Sequence, residues 1–355
     1  MTKQESENIA KKLQTLQSPD EQIAYLSTVA ERYPDERLLR LAFAQKIHEI
    51  LFSENTSIQE SDNPVAVGLE NEYRLNATIL AAKDAISHSD FKTAETLVDS
   101  VLPFAEEIAL FYASSKTKRS AYYEDSFEEF VDFFLHRKEG AVQEILYPIG
   151  EVYALRGEIE FEMNAYKKAA ADFQKAILYA PAHLAFYQEH LKSSLALKKS
   201  PEQIKKEIVA MFPFARKASD LRPLYDQLAD FKEEEGDYRG AEIYHALGLS
   251  FAEGEDEENE EADAVERIAH YTGSPYEELS AEELHSFLTL EQVPMGTNPT
   301  FLEALNQLVL MLGKKERDYD EALPLATILV SLSCQEEGTV ALLESLKLDQ
   351  AKAQS

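Results

Sequence analysis

Residues 153–181 read YALRGEIEFEMNAYKKAAADFQKAILYAP, and this stretch decides the fold. Tyr153, Gly157 and Phe161 recur every four residues, which places them on one face of an α-helix. Gly157 costs a helix about 1 kcal/mol relative to Ala, so its position predicts the close approach of a second helix. Asn164 is placed to end the first helix, because Asn tolerates the left-handed cap conformation. Ala169, Phe173 and Ala176 then form a stripe on a second helix, facing the first. Pro181 stops that helix from continuing. The expected unit is two antiparallel helices, with small residues where they cross and rings filling the space between.

The pattern spreads outward from there. Tyr225, Leu228, Ala229, Gly236, Asp237, Tyr238 and Ala241 repeat it, with His245 and Gly248 where an aromatic and a small residue are more usual. Between the two, Tyr187 and Leu191 mark a degenerate unit. Its second helix opens with Ser200-Pro201-Glu202-Gln203, a capping box with Pro at the first helical position, and Pro213 follows it. Fainter echoes occur at Asp90, Phe91 and Ala94, and at Asp318, Tyr319 and Ala322. Each has an Asp, then an aromatic, then an Ala three residues on.

In spacing and residue type, residues 150–253 resemble the tetratricopeptide (TPR) repeat, a helical hairpin of about 34 residues. Through its scattered degenerate repeats, the whole chain is similar to bacterial cytosolic TPR proteins. The resemblance implies an all-α fold, a helix-turn-helix repeat solenoid, and a scaffold or adaptor that binds a protein or peptide on its concave face. It implies no catalytic activity and no cofactor. The first helix of each repeat would line that face. Helical spacing then presents Glu151, Ala154, Glu158, Phe161 and Glu162 from one unit, Gln188, Lys192 and Leu195 from the next, and Asp226, Asp230 and Glu233 from the third. This lining is mostly acidic and suits a basic partner. Co-chaperone TPR domains clamp a terminal carboxylate with Lys, Asn and Arg at such positions, and Ala154 and Glu158 here exclude that use.

Composition agrees with a folded helical chain. The 355 residues are 45% hydrophobic, with 12 Gly and 13 Pro, and strand-like alternation is scarce. No Rossmann glycine fingerprint or P-loop is present. Acidic residues number 65 against 35 basic, a net charge of -30, which argues against nucleic acid and against anionic membrane surfaces. The basic group Lys116, Lys118 and Arg119 is too short to reverse this. The start of the chain lacks the apolar core of a secretory signal, and no apolar run of about 18 residues occurs. With Cys334 as the only cysteine, a reduced cytoplasmic setting is expected, and its apolar neighbours predict a buried, inert thiol.

Catalytic patterns are missing. His48-Glu49 lacks a second His at zincin spacing, and His183 and His190, seven apart, do not make a metal pair. No metal ligand set and no catalytic residue is assigned, and the protein is expected not to be an enzyme. The acidic run over 253–263 reads as a loop leading into the acidic first turn of a helix, not as a calcium loop.

The expected organisation has an N-terminal helical region over 1–115 with degenerate hairpins, one hinged near Ser87 to Asp90. An aromatic-rich connecting segment follows over 116–140, then the TPR array over 141–253, then a C-terminal helical region with a hairpin over 254–355. Two other functions fit the same residues: a self-assembling acidic helical protein, and a peptide-sensing regulator of the bacterial TPR type. The latter normally carries a basic DNA-binding helix, which residues 1–60 lack.

Overall fold

The computed structural model describes residues 3–16, 18–33, 37–53, 64–113, 119–139, 142–251 and 280–354. Among these the chain is all-α apart from two three-residue strands. Five helices come first: α1 (Lys3–Thr15), α2 (Pro19–Ala30), α3 (Arg37–Ser53), α4 (Pro64–Ser87) and α5 (Phe91–Ala113). Strand β1 (Arg119–Ala121), helix α6 (Ser126–His136) and strand β2 (Val142–Glu144) follow. Then come α7 (Ile149–Glu162), α8 (Tyr166–Tyr179), α9 (Leu184–Ala196), α10 (Pro201–Met211), α11 (Arg222–Glu235) and α12 (Tyr238–Leu249). The last four described helices are α13 (Ala281–Glu291), α14 (Pro299–Leu310), α15 (Tyr319–Leu332) and α16 (Glu337–Gln354).

The deciding stretch forms α7 and α8. Asn164 takes the left-handed conformation at φ 60° and turns the chain between them. Tyr153 stacks on Tyr179 with centroids 5.8 Å apart, Gly157 faces Phe173, and Phe161 meets Tyr166 at 5.1 Å. Numbers rise along one helix as they fall along the other, so the pair is antiparallel. Arg156 grips Asp172 with two guanidinium nitrogens across the same crossing. Helices α11 and α12 repeat the arrangement. Gly236, at φ 79°, makes the turn, Tyr225 stacks with Tyr244, and Gly248 lies against Tyr225 and Asp226.

The Asp-aromatic-Ala echoes have a common structural basis. Asp90, Asp237 and Asp318 each precede a helix and accept a hydrogen bond from the backbone N–H three residues on, at 3.2, 3.0 and 3.2 Å. Each satisfies one of the donors that a helix start leaves unpaired. Ala94, Ala241 and Ala322 are fully buried, as is Ala169 in α8. Small buried residues one turn into the second helix let it lie close to its neighbour. At α10, the Ser200 N–H donates to Gln203 Oε1 at 3.2 Å, the return bond of the expected capping box.

Three hydrophobic clusters form the interior. The first joins α2, α3 and the start of α4, through Leu26, Ile47 and Leu69. The second joins the rest of α4 to α5, α7 and α8, through Leu75, Val98, Ile149 and Phe173. The third runs from Phe127 in α6 to Leu346 in α16. Helix α4 contributes to two clusters and so binds the N-terminal helices to the α7–α8 pair.

The connecting segment is more structured than its sequence suggested. β1 pairs in parallel with β2, with Arg119 opposite Val142 and Ala121 opposite Glu144. Of the aromatic residues between them, Tyr122 and Phe127 are buried, and Tyr123, Phe130 and Phe134 are half-buried. Phe127, Phe130 and Phe134 surround Phe301 of α14, with centroids 5.2–6.2 Å from it. Tyr122 is buried, and its N–H donates to the Tyr179 carbonyl at 2.7 Å. Of the six rings, Phe133 alone is strongly exposed, at 66%. The amphipathic spacing of α6 turns its ring-bearing face to the core, which the count of aromatics alone cannot reveal.

Cys334 also departs from expectation. It is exposed, at φ 52° in the turn between α15 and α16, because α15 ends at Leu332. Its apolar neighbours Leu329 and Leu332 are buried, but the turn carries the thiol outward. The readings at Lys116 and Lys118 and over the acidic run 253–263 fall outside the described residues. Among those described, no helix is long and apolar enough to cross a membrane.

Candidate functional site

Three parts of the chain meet around an open cleft of about 300 Å³. The α4–α5 turn contributes Ile86, Ser89 and Phe91. The last turns of α7 contribute Glu158, Phe161 and Glu162, and α9 contributes Glu189 and Lys192. The local sequence explains the shape. Ser89 takes φ 59°, and Asp90 caps α5, so the turn is tight and brings Phe91 close to Ile86. Asn164, at φ 60°, ends α7 just beyond Glu162.

Four residues expected on the concave face therefore share one cleft: Glu158, Phe161, Glu162 and Lys192. Their charges are unevenly matched. Lys192 Nζ pairs with Glu189 at 2.6 Å, and Glu151 pairs with Lys83 of α4 at 2.8 Å. Glu158 makes no ion pair among the described residues. Burial is the main cause that pushes its carboxyl up; the nearby Glu189 adds to this, and Lys192 and Lys83 only partly offset it. The cleft thus contains apolar walls from Ile86, Phe91 and Phe161 and one under-compensated carboxylate.

The other expected lining residues go elsewhere. Ala154 is buried and offers little surface. Gln188 is half-buried on α9, and Leu195 is exposed one turn beyond Lys192. Asp226 and Glu233 turn toward α12, where they bracket the buried His245: Asp226 lies 3.3 Å from Nδ1 and Glu233 3.4 Å from Nε2. Asp230 is exposed on α11 and lies outside the cleft. His190 faces Glu207 at 3.2 Å and Gln174 at 3.2 Å, while His183 begins α9 and faces α6, so the two histidines do not converge.

Sequence reading missed Ile86, Ser89, Phe91 and Glu189. The echo at Asp90 did place a hairpin turn beside them. That this turn abuts the end of α7 depends on packing across the intervening strands and α6. Compared with protein-family models and with curated proteins, the chain matches none.

Proposed function

We propose that the protein is a binding module, a TPR-like solenoid whose concave side holds a basic segment of another protein. The carrying observation is the convergence of Glu158, Phe161, Glu162 and Lys192 with Phe91 and Ile86 on one cleft. Apolar walls with an under-compensated carboxylate suit a side chain with a long aliphatic stem and a cationic end, Lys or Arg. Entry of such a cation would relieve the cost of the charged Glu158. The excess of acidic over basic residues adds long-range attraction for the same partner class. Leu110 and Phe111, adjacent and exposed on α5, favour self-association as the second reading.

The test is capture of partners from lysate, followed by association kinetics of the purified partner at two salt concentrations. The expected partner is rich in Lys and Arg, and its association slows with salt because exposed charges are screened over about 8 Å. Glu158→Lys should slow association more than Asp230→Lys, which lies outside the cleft. Equal rates for parent and Glu158→Lys, with no salt dependence, would remove the cleft from the reading. A parent that elutes as a discrete oligomer and captures only itself would favour self-association.

A further inference from the structure

Helix α6 meets the start of α9 through a compact set of ionisable groups that the cleft does not use. Glu128, in the first turn of α6, is buried. Its Oε1 accepts from His183 Nδ1 at 2.7 Å and from Arg216 Nη2 at 3.2 Å. Its Oε2 accepts from the Glu124 N–H at 2.8 Å. The Glu124 carboxylate lies 3.6 Å from the same Nδ1. One ligand atom from each of Glu124, Glu128 and His183 lies within 4.8 Å of the other two.

We infer that Glu124, Glu128 and His183 form a site for a divalent transition metal of the zinc class, which fastens α6 to α9. Ligand spacing is the first support. Nitrogen and oxygen ligands at about 2.1 Å from tetrahedral Zn²⁺ sit about 3.4 Å apart. The two separations from Nδ1, 2.7 and 3.6 Å, bracket that value.

Ligand chemistry is the second support. One imidazole nitrogen with two carboxylates suits Zn²⁺, whereas Ca²⁺ and Mg²⁺ prefer all-oxygen sets. Glu124 is more than half exposed, so the ion has a path from solvent and room for water as a further ligand.

Charge is the third. Among the described residues, Glu124, Asp125 and Glu128 lie around Arg216, which bonds both Asp125 and Glu128. With His183 neutral the group carries two net negative charges, which a divalent ion neutralises. Arg216 and the Glu124 N–H hold the Glu128 carboxylate in place, as groups behind metal ligands commonly do. Binding replaces the Nδ1–H bond to Glu128 with an Nδ1–metal bond and releases that proton if the ring is neutral at the start.

The experiment uses the full chain stripped with a chelator and titrated with ZnCl2 by calorimetry, with CoCl2 as a visible-spectrum probe. The expected result is one tightly bound equivalent in the parent. His183→Gln and the exposed Glu124→Gln should each weaken it at least about tenfold, since loss of even a supporting group costs that much. His88→Gln, at an exposed histidine elsewhere, should leave binding unchanged and so separates this site from general attraction of cations to an acidic chain. No tightly bound equivalent in the parent, or parent-like affinity in either site variant, would overturn the inference.

Discussion

Gly157 on α7 lies against the ring of Phe173 on α8, and a Cβ added to Gly157 would sit 2.9 Å from two ring carbons. Phe173 is fully buried, so its ring has nowhere to retreat. The glycine that weakens the isolated helix is what lets the two helices cross at this distance. The matching positions in the α11–α12 pair hold Ala229 and His245, a slightly larger small residue and a smaller ring.

Gly157→Ala should therefore destabilise the protein, although Ala is the better helix former by about 1 kcal/mol. Overpacking against Phe173 is expected to outweigh that gain, with a net loss of about 1–3 kcal/mol for Gly157→Leu and less for Ala. Chemical denaturation of both variants measures this. Adding Phe173→Leu to Gly157→Ala should recover part of the loss, an interaction that two independent sites would not show.

Glu158→Gln should raise stability at neutral pH and weaken partner binding. The folded state holds the Glu158 carboxyl above its ordinary range, chiefly through burial and then through Glu189. A raised carboxyl value means that the folded protein favours the proton. The penalty is then absent below about pH 4 and develops as pH rises through the folded value. Thermal melts of parent and Glu158→Gln should coincide at low pH and separate toward neutrality, with the variant the higher. Coincidence at neutral pH would show that the carboxylate is well solvated.

Asp237→Ala should cost about 1 kcal/mol through loss of the α12 cap. Burial alone would raise this carboxyl, but the hydrogen bonds from Lys232 and the Gly240 N–H outweigh it and hold it below its ordinary range. Its contribution is therefore present above about pH 4 and is lost as pH falls through the lower folded value. Denaturation midpoints of parent and variant should converge in acid.

Phe301→Ala should cost about 3–5 kcal/mol, because it empties the space enclosed by Phe127, Phe130 and Phe134. Phe133→Ala, at an exposed ring of the same helix, should change stability by no more than about 0.5 kcal/mol. Hydrogen exchange of α6 should accelerate in the first variant only. Similar rates in both would mean that α6 is held by its ion pairs with Arg216 and His183 rather than by the rings.

Cys334 should react with a thiol reagent in the native protein at a rate near that of the unfolded chain, because its side chain is exposed in a turn. Labelling that requires denaturant would restore the buried thiol that the apolar neighbourhood suggested.

Much of the local structure was legible because its causes are local. A left-handed residue at Asn164, a Pro at the start of α10 and an Asp before α5, α12 and α15 each act within one or two turns of chain. The pairing of α7 with α8 was legible for the same reason. A four-residue periodicity on two consecutive helices leaves one face to be buried, and a short turn makes the nearest partner the next helix. The candidate site was legible in part. Helical spacing put Glu158, Phe161 and Glu162 on the exposed end of α7, yet the same spacing placed Asp226 beside them in expectation, and His245 draws it to α12 instead. The exposed thiol of Cys334 was missed because composition near a helix end does not fix the residue at which the helix stops.

The sequence by itself determined a helical chain, its caps, its tight turns and the residues that face a neighbouring helix, because each follows from backbone conformation and short-range burial. Tertiary structure alone decided what lies between residues distant in the chain. It set the Phe91 and Glu158 walls of one cleft, closed α6 around Phe301, and brought Glu124 and Glu128 to His183. The strands and α6 intervene between α5 and α7, and no local rule states how such an insertion folds back. That outcome depends on which apolar faces remain to be buried once the hairpins have formed, a property of the whole packed chain and not of any segment.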